Sequence, residues 1–454
     1  MVTKLTPTSF IIFGMGGDLS TRKILPAIYH LVEKNKLNQF SILGLAKSQR
    51  TPKQLINEAK KHLVYHNKNK IKSKKIWNKI EKSLIYHSID FKHESSFNQI
   101  SQILNSLEKK NKTNDHRIFY LATLPEHFKS ISKFLAKYQL TAKNSKVMYE
   151  KPFASSLITA KQTNNCIQSI FNEKQIFRVD HYLAKELVAT ISMLRFTNRL
   201  LEPLWCSEHI ESVDIVMREK IEVGKRARYY DDYGQVKDVV QNHLLQLLSL
   251  IAMEQPKRLE AKYIRDAKVA VLNKTKFTSI KRAQYVGYKK TKGVKRNSQT
   301  ETYAKITAKV NTPRWKGVPF NIITGKALSK KETYIDIKFK RVACLLNQCP
   351  RETNQLLIQI HPHPKVQLLV NSKIPGPKVQ VKPVKLTFSE ELEFGPNTPK
   401  AYENLLQQAI ENDHTSFLRS DGVEASWKII EDGLKKCKGK LYSYKKASIE
   451  PNFK

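Results

Sequence analysis

The chain has 454 residues, 40% of them hydrophobic, and carries 80 Lys and Arg against 40 Asp and Glu, a formal net charge of +40. That length exceeds what one hydrophobic core organises and points to two domains, and no stretch is long and apolar enough to read as a membrane span. Cys166, Cys206, Cys344, Cys349 and Cys437 are odd in number and form no C-x-x-C pair, which argues against a disulfide scaffold or a zinc ribbon. The opening residues lack the pattern of a secretory signal, so a reducing cytoplasm is expected. The lysines are spread along the whole chain without interleaved aromatics. Such a charge suits a field that draws in small polyanions better than a nucleic-acid platform.

Ser9 to Phe13 reads as a strand running into Gly14-Met15-Gly16-Gly17-Asp18-Leu19 and then a helical pattern from Lys23 to Lys34. A glycine turn at a helix N-terminus offers backbone N–H groups to a pyrophosphate; Leu19 stands where G-x-G-x-x-G has its third glycine. Phe40 to Leu45 reads as a second strand followed by Ala46-Lys47, with no acid where NAD-dependent folds hold the ribose hydroxyl, so NADP is favoured over NAD. Thr51 to Phe91 is a Lys-rich helical stretch without clear divisions. Arg117 to Ala122, which includes Tyr120, and Lys146 to Glu150, followed by Lys151-Pro152, read as strands ending at the ligand-binding edge of an open α/β sheet. The alternation predicts a Rossmann-like doubly wound domain over residues 1–178.

From residue 179 to 454 the pattern predicts a larger α+β domain with a mostly antiparallel sheet. Lys185 to Arg195 and Gln235 to Met253 read as helices, Tyr334 to Phe339 and Gln355 to Ile360 as strands, the proline-punctuated residues 362–383 as loops and edge strands, and Ala401 to Asn412 and Val423 to Lys436 as closing helices.

Two polar clusters carry chemistry. Arg178-Val179-Asp180-His181-Tyr182-Leu183-Ala184-Lys185-Glu186 gathers an acid, an imidazole, a phenol and an ammonium before a helix, a set suited to holding an anion. Lys237-Asp238-Val239-Val240-Gln241-Asn242-His243 opens the long apolar helix. On an α-helix Asp238 and His243 stand about 7.5 Å apart along the axis and about 140° apart around it, which keeps them from pairing. If His243 is a base, its orienting carboxylate comes from elsewhere, and Asp180 is the candidate.

These blocks, together with Glu150-Lys151-Pro152-Phe153, Trp315 to Leu328, Tyr402 and Arg419-Ser420-Asp421, closely resemble glucose-6-phosphate dehydrogenase over nearly the whole chain. The resemblance implies oxidation of D-glucose 6-phosphate to 6-phospho-D-glucono-1,5-lactone with reduction of NADP, the first step of the oxidative pentose phosphate pathway. It implies a cofactor on Gly14, Gly17, Asp18, Leu19 and Tyr120, with Lys47 near the 2′-phosphate and Lys151 reaching substrate and nicotinamide. His181, Tyr182, Lys185, Lys326 and Lys331 would hold the sugar phosphate, Glu219 and Asp238 sugar hydroxyls, and His243, oriented by Asp180, would take the C1 hydroxyl proton. No metal is implied, and a homodimer or homotetramer is. Ala184 and Ala154 depart from family glycines, and Leu124 from a proline. The rival readings are another Rossmann NAD(P)-dependent sugar oxidoreductase, which would lack the Asp180 to Glu186 and Gln241 to Gln246 blocks, and a basic nucleic-acid-binding or catalytically degenerate homologue.

Overall fold

Thr8–Phe13 is buried at every position, as is Phe40–Ala46, the mark of strands covered on both faces. The computed structural model describes residues 3–66, 73–343, 352–394, 400–436 and 439–453. Cys344, Cys349 and Cys437 lie outside the described residues. In chain order the strands are β1 (Thr8–Phe13), β2 (Phe40–Ala46), β3 (Leu84–Ser88), β4 (Arg117–Leu121), β5 (Lys146–Tyr149), β6 (Ile176–Val179), β7 (Ile210–Arg218), β8 (Thr275–Tyr285), β9 (Tyr303–Val310), β10 (Phe320–Gly325), β11 (Glu332–Phe339), β12 (Gln355–His361), β13 (Lys365–Lys373), β14 (Val381–Phe388), β15 (Phe417–Leu418) and β16 (Leu441–Tyr444). Two compact units contain them. The first takes Met1–Lys185, Glu260–Lys262 and Pro399–Ser420; the second takes Glu186–Leu259, Tyr263–Thr398 and Asp421–Lys454.

The first unit holds a sheet of order β15-β6-β5-β4-β1-β2-β3, parallel except where β15 meets β6. This is the doubly wound architecture expected from the sequence. The carboxyl ends of β1, β2, β4, β5 and β6 lead into Gly14, Lys47, Ala122, Glu150 and Asp180, along the edge where such sheets take ligands. The Thr51 to Phe91 stretch divides into helices Pro52–His66 and Lys74–Lys82 and the edge strand β3; half-exposed on both faces, β3 lacks a long apolar run.

Residues 399–420 return to this first unit. The helix Ala401–Glu411 lies on the helix Leu25–Glu33, burying Leu405, Leu406 and Ala409 completely. Each leucine contributes roughly 2 kcal/mol. Lys34 Nζ meets Glu403 Oε1 at 2.6 Å, and Lys36 Nζ donates to Gln407 Oε1 at 2.8 Å.

The second unit holds a mostly antiparallel sheet of order β14-β13-β12-β11-β7-β10-β9-β8-β16, with parallel pairs only at β7/β10 and β8/β16. On β7 and β11, Asp214 and Asp336 are ladder partners. Asp214 accepts from Asn321 Nδ2 and from Lys338 Nζ, both at 2.8 Å. Asp336 Oδ1 is buried and has no hydrogen-bond partner among the described residues. Burial pushes the Asp336 carboxyl up to about 6, with Lys338 pulling it back and Asp214 adding to the rise. A carboxyl whose folded value exceeds its unfolded one makes the native state the better proton binder. Its stabilising protonation is present at low pH and is lost as pH rises towards 6. Asp336→Asn is therefore expected to stabilise the chain by about 2 kcal/mol more at pH 7.5 than at pH 4.5. Urea unfolding at the two pH values checks this, and equal gains at both would refute it. Among the described residues no helix is long and apolar enough to cross a membrane.

Candidate active site

In the first unit the glycine turn is shaped by close backbone approach. Gly14 has φ +85°, its N–H donates to the Leu45 carbonyl at 2.7 Å, and a Cβ there would stand 2.3 Å from the Ala122 carbonyl oxygen. Only glycine fits. Gly17 N–H and the Ser20 hydroxyl both donate to the Gly14 carbonyl, at 3.0 and 3.2 Å. Leu19 is already helical, with φ −62° and ψ −43°, and packs against the apolar core, so the missing third glycine leaves no strain. Asp18 is exposed and paired with Arg22 at 2.9 Å. Lys47 follows β2, 82% exposed, with its Nζ 2.9 Å from Asp90 Oδ2. The Lys47 hydrogen bond, with the Lys92 N–H, holds the Asp90 carboxyl down to about 2. Forty-three residues separate Lys47 from this partner, and nothing local in the sequence announces it.

At the ends of β4 and β5 the sequence reading singled out Tyr120 and Lys151 but passed over the group between them. Glu150 is buried, and its Oε1 accepts the Tyr120 hydroxyl at 2.5 Å. A cis peptide joins Lys151 to Pro152. Beyond β6, Asp180 Oδ1 accepts the Tyr182 N–H at 3.0 Å, and the turn closes through Leu183 N–H to Asp180 O and Lys185 N–H to Tyr182 O. That turn brings His181, Tyr182 and Lys185 together: Lys185 Nζ lies 3.9 Å from the centre of the Tyr182 ring, and the His181 and Tyr182 rings are 5.0 Å apart. Its base is Arg178, fully buried and bidentate on Glu173 at 2.6 and 3.2 Å. Ala184 is buried, has no positive φ, and gives its carbonyl to Asn404 Nδ2 at 3.1 Å. The backbone there does not call for glycine.

In the second unit the long helix is not α-helical throughout. Val236–Leu244 is wound as a π-helix, closed by Leu245 N–H to the Val240 carbonyl, before Leu245–Ala252 continues as α. In an i→i+5 winding, residues five apart stack above one another. Asp238 and His243 therefore share one side of the helix, which corrects the 140° separation that an α-helix imposes. Both are buried, as are Gln241 and Asn242. The segment starts at a kink: Gly234 has φ +71°, and Glu301 Oε1, which would stand 2.5 Å from a Cβ there, accepts the Val236 N–H at 3.0 Å. Gln235 fixes the same start, donating to Thr324 Oγ1 at 2.7 Å and accepting from the Tyr230 hydroxyl at 2.6 Å.

Glu219 and Lys326, after β7 and β10, are brought together, Oε2 to Nζ at 2.5 Å. Lys331 stands exposed just ahead of β11. The Lys326 segment is held from behind by the chain's last residues. The Tyr444 hydroxyl donates to the Lys326 carbonyl at 2.7 Å, Ala447 N–H donates to the Ala327 carbonyl at 2.8 Å, and Ser329 N–H donates to the Ser448 carbonyl at 3.0 Å. Arg218, on β7, bridges Glu332 and Glu450 at 2.6 and 2.7 Å.

Two family descriptions together match nearly the whole chain: "Glucose-6-phosphate dehydrogenase, NAD binding domain" over residues 11–190 and "Glucose-6-phosphate dehydrogenase, C-terminal domain" over residues 192–454. The chain belongs to the glucose-6-phosphate dehydrogenase family. A glucose-6-phosphate 1-dehydrogenase of Chlamydia pneumoniae is 36% identical over 452 residues, which cover 93% of this chain and 88% of that one. A solved glucose-6-phosphate dehydrogenase in complex with its substrate glucose 6-phosphate superposes with TM-score 0.92 at 31% identity, covering 100% and 97% of the two chains. A 3-ketoreductase from Actinomadura kijaniata, in complex with NADP, shares the fold alone, with TM-score 0.52 and 10% identity. As a member of the glucose-6-phosphate dehydrogenase family the chain is an oxidoreductase that oxidises glucose 6-phosphate with NADP as cofactor, and the rival reading as a different sugar oxidoreductase falls away.

Proposed function

We propose that the residues divide this reaction as follows. His243 takes the C1 hydroxyl proton as the hydride leaves C1, with Asp180 as its orienting carboxylate, and the product is 6-phospho-D-glucono-1,5-lactone. His181, Tyr182 and Lys185 hold the phosphate with Lys326 and Lys331, Glu219 and Asp238 bind sugar hydroxyls, and Lys151 serves both substrate and nicotinamide. NADP, when bound, supplies the nicotinamide carbon that accepts the hydride. The glycine turn fits such a group: a Cβ at Gly14 or Gly16 would stand 2.3 Å from the Ala122 carbonyl or 2.6 Å from Ser48 Oγ, so glycine lets the turn close tightly ahead of the following helix, where backbone N–H groups can meet a pyrophosphate. Gly14, Gly17, Asp18, Leu19 and Tyr120 frame the dinucleotide, Tyr120 from behind as a buried residue, and Lys47 exchanges Asp90 for the 2′-phosphate.

One observation carries the reading: Asp238, Gln241, Asn242 and His243 are all buried on one π-wound segment of a helix that continues as a mostly apolar one. Such a polar group is costly to keep in a core that does not use it, and π-wound segments recur at functional sites. The test is NADPH formation with glucose 6-phosphate, with free glucose, and with NAD in place of NADP. Turnover is expected with glucose 6-phosphate and NADP, and absence of turnover in all three mixtures would sink the proposal.

Copies of the chain assemble as a homodimer or homotetramer through the second sheet, whose outer strand β14 leaves Leu386 58% exposed. Cys166 and Cys206 are free among the described residues, which supports a cytoplasmic setting.

A further inference from the structure

Two neighbouring residues of the second unit, Glu301 and Thr302, hold the π-wound segment and the Lys326 segment at once. Glu301 is buried, and both its side chain and its main chain end on the start of the π winding. Its Oε1 accepts the Val236 N–H at 3.0 Å, and its main-chain carbonyl accepts the Gln235 N–H at 3.1 Å. Thr302, fully buried beside it, accepts the Lys326 N–H on its carbonyl at 2.9 Å. Lys326 Nζ in turn lies 5.4 Å from the centre of the Tyr230 ring, and the Tyr230 hydroxyl donates to Gln235 Oε1 at 2.6 Å. The segment carrying Asp238 and His243 thus shares one frame with the lysine.

The first N–H groups of a helix have no partner within it and take one from outside. Gln235, at the start, makes no side-chain cap, its amide being committed to Thr324 Oγ1. Glu301 supplies the cap instead, and a carboxylate there also faces the favourable end of the helix dipole. The fit is close: the carboxylate occupies the space that a Cβ on Gly234 would fill. Burial pushes the Glu301 carboxyl up, and the Val236 N–H pulls it back. A group so costly to bury is placed to select one winding. Asp238 and His243 share a side of the helix only while the segment is π-wound; relaxed to an α winding they stand about 140° apart.

We propose that Glu301 is a positioning residue for the reaction: its carboxylate caps the π-wound segment at Val236 and so keeps His243 and Asp238 on one side of the helix, in a fixed placement relative to Lys326. This rests on the roles given above to His243, Asp238 and Lys326. Glu301 need not touch substrate or cofactor to act. What counts is the reach of one oxygen to the Val236 N–H. Gln keeps that reach without the charge, whereas Asp keeps the charge and withdraws it by one methylene.

The experiment is a double-mutant cycle in kcat, run on the full chain with Glu301→Ala, His243→Asn and the pair, alongside thermal unfolding of each. Glu301→Ala is expected to lower kcat about tenfold, the scale of one hydrogen bond to a charged group, but less than about twofold in the His243→Asn background. A mere loss of folded protein would lower kcat equally in both backgrounds. Glu301→Asp is expected to repeat the pattern with less loss of stability, and it carries the cycle if Glu301→Ala does not fold. Glu301→Gln, whose amide oxygen still accepts the Val236 N–H, is expected to hold kcat within about threefold of wild type. Full additivity with His243→Asn, wild-type kcat in the Ala or Asp variant, or a Gln variant no better than the Asp one would overturn the proposal. Near-normal kcat in His243→Asn would overturn the role of His243 and this proposal with it, whereas additivity beside an impaired His243→Asn would overturn this proposal alone.

Discussion

His243→Asn is expected to lower kcat about 10²- to 10⁴-fold while leaving KM for glucose 6-phosphate within about threefold, the range that general-base catalysis contributes. Asn keeps a polar side chain of similar reach, so the buried π-wound turn stays filled, but it cannot accept a proton. A base acts while the O–H bond breaks, so its removal is felt in the transition state and not in ground-state binding. Initial rates of NADPH formation over a range of substrate concentrations separate the two constants. A variant of near-normal kcat would remove His243 from the chemistry and leave it as a buried polar residue of the helix.

Lys185→Ala is expected to show the opposite division. The phosphate is present from the moment of binding, so loss of a charge-assisted contact worth about 1.5–3 kcal/mol appears as a rise of roughly 10- to 100-fold in KM for glucose 6-phosphate, with kcat within a few-fold. The ammonium is preset against the face of Tyr182 at 3.9 Å, which lowers the ordering cost on binding. Free glucose supplies the internal control. Lacking the phosphate, it should lose nothing to Lys185→Ala, and an equal loss with both sugars would mean that the lysine supports the turn and does not bind the phosphate.

Much of this molecule was legible in its sequence. The strands at Ser9, Phe40, Arg117 and Lys146 stood out because parallel strands buried on both faces are unbroken apolar runs, and helices such as Ala401 to Asn412 because one face repeats at helical spacing. What stayed hidden depends on distant partners. β3 is a half-exposed edge strand whose short pattern drowns among lysines, and the return of residues 399–420 to the first unit has no local mark, because a helix's apolar stripe does not say which surface it will cover. The π winding of Val236–Leu244 was invisible for the same reason: the apolar positions fit an ordinary helix, and the wider turn follows from the kink at Gly234 and the Glu301 cap sixty-five residues away. At the candidate site the acids, bases and cations could be picked out by motif. The groups that hold them could not. Glu150 hides inside a three-residue motif in which the lysine draws attention, and Asp90 faces Lys47 from across the sheet edge.

The hold that residues 444–450 keep on the Lys326 segment makes those residues a point of vulnerability during storage and handling. Lys445 and Lys446 are exposed and offer a tryptic site inside the clamp. A nick there would leave both sheets paired and the molecule outwardly intact, yet would release the Ala327 carbonyl and the Ser329 N–H from Ala447 and Ser448. Purified material would then age by loosening the Lys326 segment well before it lost its fold.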